Sequence, residues 1–254
     1  MNNFNKGKIT LVGAGPGDPE LLTIKGLNAI KGADVILYDA LINPVLLKHN
    51  NHAEKVFVGK RYGFARKNQE EINQLLIEFA IKGKTVVRLK GGDPLIFGRA
   101  AEELSIAQLF DIPTQVIPGI SSYVGIAAQH QIPITKRATY ESVWITTGHT
   151  HDGKISSDIA IAAQSKATVI VLMGMRFLTD IITEFLRYKP ANYPVAIIQN
   201  GTTAAEKVVV GTLENIINQV KEQQIGNPAN IIFGHAVTDN IVAFKHLKSA
   251  ECVN

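Results

Sequence analysis

The chain has 254 residues, 46% hydrophobic and 19% charged. That balance excludes a disordered or low-complexity protein and leaves room for one large or two small domains. No apolar run approaches the roughly 20 residues of a membrane-spanning helix, the opening Met1–Lys8 stretch has no apolar segment of signal-peptide length, and Cys252 is the single cysteine. A disulfide framework and a cysteine zinc cluster are thereby excluded, and a cytoplasmic globular protein is expected. The net charge of +4 divides into +3 over residues 1–134 and +1 over residues 135–254. So mild a basic bias suits a small acidic substrate at least as well as a phosphate backbone.

In chain order, short apolar runs predict strands at Ile9–Val12, Val35–Tyr38, Lys55–Val58, Thr85–Leu89 and Thr114–Ile117. Apolar residues spaced three and four apart predict helices over Leu21–Ile30, Gln69–Ile81 and Arg99–Phe110. Strands alternating with helices imply a mostly parallel sheet covered on both faces. A small-residue helix over Ser121–Gln129 follows. The second half predicts strands at Ser142–Thr147, Thr168–Met173, Val195–Gln199, Lys207–Val210 and Asn230–Phe233, with helices at Phe177–Arg187 and Thr212–Gln223. Asn200-Gly201 between two of those strands is a hairpin signal and makes the second sheet mixed. The expected fold class is α/β: two α/β domains, residues 1–134 with a mostly parallel sheet and residues 135–254 with a mixed one.

Three glycine-bearing loops follow predicted strands of the first half: Gly13-Ala14-Gly15-Pro16-Gly17-Asp18-Pro19, Gly91-Gly92-Asp93-Pro94 and Pro118-Gly119-Ile120-Ser121-Ser122. The first is no dinucleotide fingerprint, since Asp18 stands where that motif needs its third small residue and Pro16 removes an N–H from any phosphate cradle. No Gly-Lys-Ser/Thr follows, so it is no P-loop either. Two readings stay open for it: a tight strand-to-helix turn with Asp18 as N-cap and Pro19 first in the helix, or a loop approaching a ligand. Three such loops at strand ends favour one shared ligand crevice, because open α/β sheets bind ligands at the carboxyl ends of their strands.

The ordered set Val12–Thr23, Leu37-Tyr38-Asp39, Val58-Gly59-Lys60-Arg61, Gln69–Asn73, Arg88–Pro94, Pro118-Gly119-Ile120, Ile132–Thr135, Thr147-Gly148-His149 and Met173-Gly174 resembles the tetrapyrrole methylases, and among them those acting on uroporphyrinogen III. The resemblance implies S-adenosylmethionine as methyl donor, with S-adenosylhomocysteine as product, bound in the cleft between two α/β domains. It implies two methylations of uroporphyrinogen III, at positions 2 and 7, giving precorrin-2 for sirohaem or cobalamin synthesis. Carried over by position, the cofactor contacts are Pro16, Gly91, Gly92, Asp93, Ile96, Ser121, Ser122, Met173, Gly201 and Ala229. Asp39 takes the proton-acceptor position and Lys60 the proton-donor position, with Arg61, Lys136 and Arg137 as binders of substrate carboxylates. Neither a metal nor a covalent nucleophile is required, and a homodimer is implied. Ala40 departs from the family's usual Arg after Asp39, which leaves Arg66, Lys67, Lys136 or Arg137 to compensate; Ala100-Ala101 replaces a usual Gly-Gly.

Other features carry less. An apolar residue at a strand end, such as Met173, commonly packs into the core, and Lys60 and Arg61 also read as solvated surface charge. His149-Thr150-His151-Asp152 reads as a strand-end loop before it reads as a metal site. A methylase acting on a later precorrin, and a basic nucleotide- or nucleic-acid-binding module, are the competing functions. The second expects a basic helix or an aromatic-basic strand that the sequence lacks.

Overall fold

The structure, a computed structural model, describes residues 6–59 and 68–239. The chain forms two compact units, residues 1–122 and 123–254. The changeover falls before the 134/135 boundary read from the sequence. The reason is the helix α4 (Ser122–Gln129), whose Ile126 and Ala127 pack with Ile170, Ala196, Ile198 and Ile232 in the core of the second unit.

The first unit holds strands β1 (Lys8–Gly13), β2 (Val35–Tyr38), β3 (Glu54–Phe57), β4 (Thr85–Lys90) and β5 (Thr114–Ile117) with helices α1 (Ile24–Lys31), α2 (Gln69–Ile81) and α3 (Ala100–Leu109). The sheet order is β3-β2-β4-β1-β5 and every pairing is parallel. Alternate residues of the central strands serve opposite faces. Val12, Ile36, Val87 and Leu89 pack with Ile30 of α1 and with Leu46, while Ile9, Val35, Leu37 and Val86 pack with Ile72, Leu76 and Ile77 of α2. Both faces being covered, the strands read as near-continuous apolar runs. Helix α2 is fixed at its start by a capping box. The Asn68 side chain accepts from the Glu71 N–H at 2.8 Å, and Glu71 accepts from the Asn68 N–H at 2.6 Å.

The second unit holds β6 (Val143–Thr147), α5 (Asp158–Gln164), β7 (Thr168–Leu172), α6 (Leu178–Leu186), β8 (Pro194–Gln199), β9 (Lys207–Thr212), α7 (Ile216–Glu222) and β10 (Ala229–Phe233). Its sheet runs β6-β7-β10-β8-β9, with only β6 and β7 parallel. The mixed sheet and the β8–β9 hairpin are as the sequence predicts. At the turn, Asn200 and Thr202 take positive φ of 50° and 65°. Phe185 of α6 stacks on Phe233 of β10 with centroids 3.9 Å apart at the centre of this core.

Most boundaries move by a residue or so from the sequence reading, and three of the shifts show their cause. Leu21 closes a short 3-10 turn (Pro19–Leu21) capped by the Asp18 carboxylate, so α1 begins only after Thr23 caps it. Arg99 is a left-handed entry to α3, with φ of 57°. Thr212 ends β9, and its N–H is held by the Asn215 side chain at 2.8 Å, so α7 starts at Ile216. Helix α5 goes unpredicted.

Asn50 supports the edge of the first unit that carries β2 and β3. Its amide donates to the carbonyls of Ile30 and Ala33 at 2.8 and 2.9 Å, and its oxygen accepts from Ala53 N–H at 2.9 Å. The side chain is buried, so truncation takes a buried hydrogen bond from each of those groups. Asn50→Ala is expected to lower unfolding stability by about 2–4 kcal/mol, read from urea denaturation at unchanged m-value.

Candidate active site

The carboxyl ends of β1, β2, β4 and β5 carry loops that meet at one edge of the first sheet. Where the β1, β4 and β5 loops come together, there is no room for side chains. A Cβ on Gly13 would lie 2.4 Å from Gly119 N and 2.7 Å from Gly92 O, and one on Gly119 would lie 2.3 Å from Gly92 O. Main chain stitches the loops directly. Gly92 N–H donates to Gly15 O at 2.7 Å and Ala14 N–H to Lys90 O at 2.8 Å. Asp93 adds the tie to the third loop, with one oxygen accepting from Gly119 N–H at 3.0 Å and the other from Leu95 N–H at 2.8 Å. Gly91 abuts the β2 loop, since a Cβ there would sit 2.8 Å from the Leu41 Cβ.

Of the predicted cofactor residues, Pro16, Gly91, Gly92, Asp93, Ile96, Ser121 and Ser122 lie on these joined loops. Pro16, Gly91, Gly92, Asp93 and Ser122 are half-buried, Ser121 is buried and Ile96 is exposed beside exposed Leu95 and Phe97. Gly92 has φ of +67°, and the space its side chain would fill borders Ser121 Cα and Ser122 N at 3.7 and 3.8 Å without a clash. Main chain, with no Cβ from Gly92, lines this space.

Asp39 follows β2 directly. One carboxylate oxygen accepts from Leu41 N–H at 3.0 Å, and the other lies 3.5 Å from the Arg88 guanidinium. Arg88 leads into a buried network that the sequence reading missed. Glu103 of α3, fully buried, pairs with Arg88 Nε at 3.1 Å and with Lys90 Nζ at 2.8 Å, and accepts from Gln69 at 3.2 Å. Burial, then the Arg88 charge, holds the Lys90 ammonium below the usual lysine range. Two cations and two carboxylates thus offset one another beneath the loop edge. The signal was present in β4: Arg88 and Lys90 alternate on one face of a central strand that both neighbours cover, where solvated lysines and arginines do not belong.

In the second unit, Met173 is not core. It follows β7 in a left-handed conformation (φ 55°) and stands 44% exposed. Gly201 is buried in the β8–β9 turn against Ile126, and Ala229 opens β10 opposite Gln199 within the core. The Lys136 ammonium is engaged by Asp239 at 2.7 Å, and Arg137 is exposed. His149 faces the Met173 carbonyl at 3.3 Å, and among the described residues no cluster of three or more His, Cys, Asp or Glu could hold a metal. No described helix is long and apolar enough to cross a membrane. Lys60, Arg61, Arg66, Lys67 and Cys252 lie outside the described residues.

A parallel α/β unit whose strand-end loops meet through glycine main chain, followed by a mixed α/β unit, defines the class. The family described as Tetrapyrrole (Corrin/Porphyrin) Methylases matches residues 8–217, and the chain belongs to it. It is 44% identical over 234 residues to a uroporphyrinogen-III C-methyltransferase of Methanocaldococcus jannaschii, covering 91% of this chain and 97% of that one. A siroheme synthase of Thioalkalivibrio sulfidiphilus is 41% identical over 91% of this chain, which spans about half (48%) of that longer protein. Among solved structures, the uroporphyrin-III C-methyltransferase of Thermus thermophilus complexed with S-adenosylhomocysteine superposes with a TM-score of 0.79 at 36% identity, over 91% of this chain and 99% of that one.

Removing the shared carboxylate should expose what the network does. Glu103→Gln leaves Arg88 and Lys90 without their buried counter-charge and is expected to cost about 3–5 kcal/mol, measured by denaturant unfolding. Lys90 adds a pH signature. Its folded pKa is depressed below 10.5, so the unfolded chain binds that proton more tightly. The penalty is present at neutral pH and is relieved as pH climbs through the folded pKa toward 10.5. Lys90→Met should therefore flatten the alkaline rise in stability relative to wild type, in unfolding titrations from neutral pH upward.

Proposed function

We propose that the chain is an S-adenosylmethionine-dependent C-methyltransferase that methylates uroporphyrinogen III at positions 2 and 7, giving precorrin-2 for sirohaem or cobalamin synthesis. The observation that carries this reading is the 44% identity spanning nearly the whole of both this chain and the Methanocaldococcus enzyme. The geometry fits a folded cofactor: Gly92 leaves space beside the main chain of Ser121 and Ser122, and Asp93 holds two of the loops in place.

The cofactor supplies an activated methyl group on a sulfonium sulfur. The chain's part is to align a pyrrole carbon with that methyl and to exclude water. Asp39, positioned by Leu41 N–H and Arg88, is the proton acceptor that stabilises and then deprotonates the methylated ring. Lys60 is assigned proton donation, and Arg61 and Arg137 carboxylate binding. Lys136 joins them only by exchanging its Asp239 partner for a substrate carboxylate. Where the resemblance implies Arg after Asp39, this chain has Ala40, whose main-chain N lies 2.6 Å from the position of a Cβ on Gly59. The substrate's carboxylates are left to the neighbouring cations. The working form is a cytoplasmic homodimer.

Incubation with S-adenosylmethionine and uroporphyrinogen III is expected to add two methyl groups by mass. Turnover only on an already methylated precorrin would reassign the substrate to a later step. Asp39→Ala is expected to cut turnover by about 100-fold or more while S-adenosylhomocysteine binding by calorimetry stays near wild type. Asp93→Ala, which releases Gly119, is expected to weaken that binding about tenfold, or ~1.4 kcal/mol.

A further inference from the structure

The β8–β9 turn carries Gly201, and one carboxylate ties that turn to the end of helix α4. Glu206 stands just before β9 and reaches back across the turn with both oxygens. Its Oε2 accepts from the Thr202 N–H at 2.8 Å. Its Oε1 lies 2.9 Å from His130 Nε2, and the Gln129 amide donates to the two oxygens at 3.1 and 3.2 Å. Gln129 is the last residue of α4 and His130 follows it. A carboxylate only accepts, so the His130 nitrogen that faces it carries the proton.

We infer that Glu206 is a positioning residue for the S-adenosylmethionine site, holding the Gly201 turn through the Thr202 N–H. The inference rests on the reading of Gly201 as a cofactor contact. Three observations carry it.

The first is that the hairpin closes without this side chain. The Thr203 N–H and hydroxyl donate to the Asn200 carbonyl at 3.1 and 2.7 Å, and the Glu206 N–H donates to the Thr203 carbonyl at 3.2 Å. The β8–β9 ladder then begins at Gln199 and Lys207. The Glu206 carboxylate adds a different link, from the turn to the helix.

The second is conformation. Thr202 has φ of 65°, a left-handed region where a β-branched residue is a genuine outlier. Such a residue persists only where its surroundings over-determine it. Gly201, one residue earlier, is pinned as well, because a Cβ there would overlap the Ile126 side chain of α4. Packing on Ile126 and the Glu206 tie therefore fix the same stretch of main chain, and both are anchored in one helix.

The third is shelter. The His130 and Glu206 side chains are only 18% and 14% exposed. A hydrogen bond to a carboxylate is roughly twice as strong as one between neutral groups, and partial burial limits its screening by salt.

A turn held in its binding conformation before the ligand arrives loses less freedom on binding. Glu206 touches neither the methyl group nor the ring on this reading, so its loss should weaken cofactor binding and spare the chemical step.

The test is calorimetric titration of the full chain with S-adenosylhomocysteine, joined to methylation kinetics. Glu206→Ala is expected to weaken binding about tenfold and to raise KM for S-adenosylmethionine to match, with kcat near wild type. Glu206→Gln keeps a carbonyl acceptor for the Thr202 N–H and is expected to recover most of the loss. Phe185→Leu, which loosens the core of the same unit, is expected to leave the affinity near wild type. Without ligand, amide exchange at Thr202 should quicken in Glu206→Ala. Wild-type affinity or unchanged exchange in Glu206→Ala overturns the inference, as does a Gln variant that binds no better than Ala. Equal weakening by Phe185→Leu reduces the effect to stability and overturns it too, and a loss confined to kcat does the same. A wild-type chain that binds no S-adenosylhomocysteine overturns the cofactor reading, and this inference with it.

Discussion

The three-way main-chain contact of Gly13, Gly92 and Gly119 is the constraint on which the first unit's joined loop edge depends. A Cβ on Gly13 or on Gly119 would lie within 2.3–2.7 Å of another's main chain, so no other residue fits at either without separating the loops. The contact does two things together. It brings the ends of β1, β4 and β5 closer than side chains allow, and it leaves main-chain groups unshielded beside Ser121. Asp93 then acts as a cross-tie, using both carboxylate oxygens on main-chain N–H groups of two loops. A residue of the type that binds ribose in other folds is therefore first an architectural one here, and any ligand it meets is met with lone pairs left over from that task.

Below the loops lies the electrostatic counterpart. A central parallel strand ordinarily carries apolar side chains on both faces, and β4 begins that way with Val86 and Val87. Its last three residues instead set Arg88 and Lys90 on one face, with Glu103 of α3 placed to neutralise both. The cost of burying these charges is offset only because every member has a partner. Arg88 uses its remaining reach on Asp39, so the position of that carboxylate is inherited from a helix on another part of the unit. Loop geometry and buried charge thus meet at one strand end: β4 supplies Arg88 and Lys90 to the network, and Gly91 and Gly92 directly after it belong to the joined loops.

How far the sequence discloses this varies with the range of the interaction. The alternation of strands with helices, the Asn200-Gly201 hairpin and the Asn68–Glu71 start of α2 are local patterns, and each appears where its pattern lies. Asp39 is legible as a polar residue ending an apolar strand. Helix α5 is not, because seven residues dominated by alanine and isoleucine give little periodicity, and Ser157 makes no capping hydrogen bond. The Lys136–Asp239 pair joins residues far apart in the chain, so Lys136 reads as a free cation until the fold supplies its partner. Met173 is ambiguous in the sequence for a different reason. Its apolar side chain suggests core, but a left-handed φ turns the chain outward, and nothing in the residue type announces that conformation.

The strand order of the first unit also bears on how the chain is made. β1 is an interior strand, flanked by β4 and β5, yet it precedes both by some seventy residues or more. During translation at roughly 5–20 residues per second, its two edges wait several seconds for their neighbours. Leu11 and Val12, fully buried in the finished sheet, are meanwhile open to water and to other nascent chains. Hairpin β8–β9, by contrast, closes within a few residues of synthesis. The interior strand β1 therefore stays without its neighbours, and the first unit joins its sheet only when the β4 and β5 segments have left the exit tunnel.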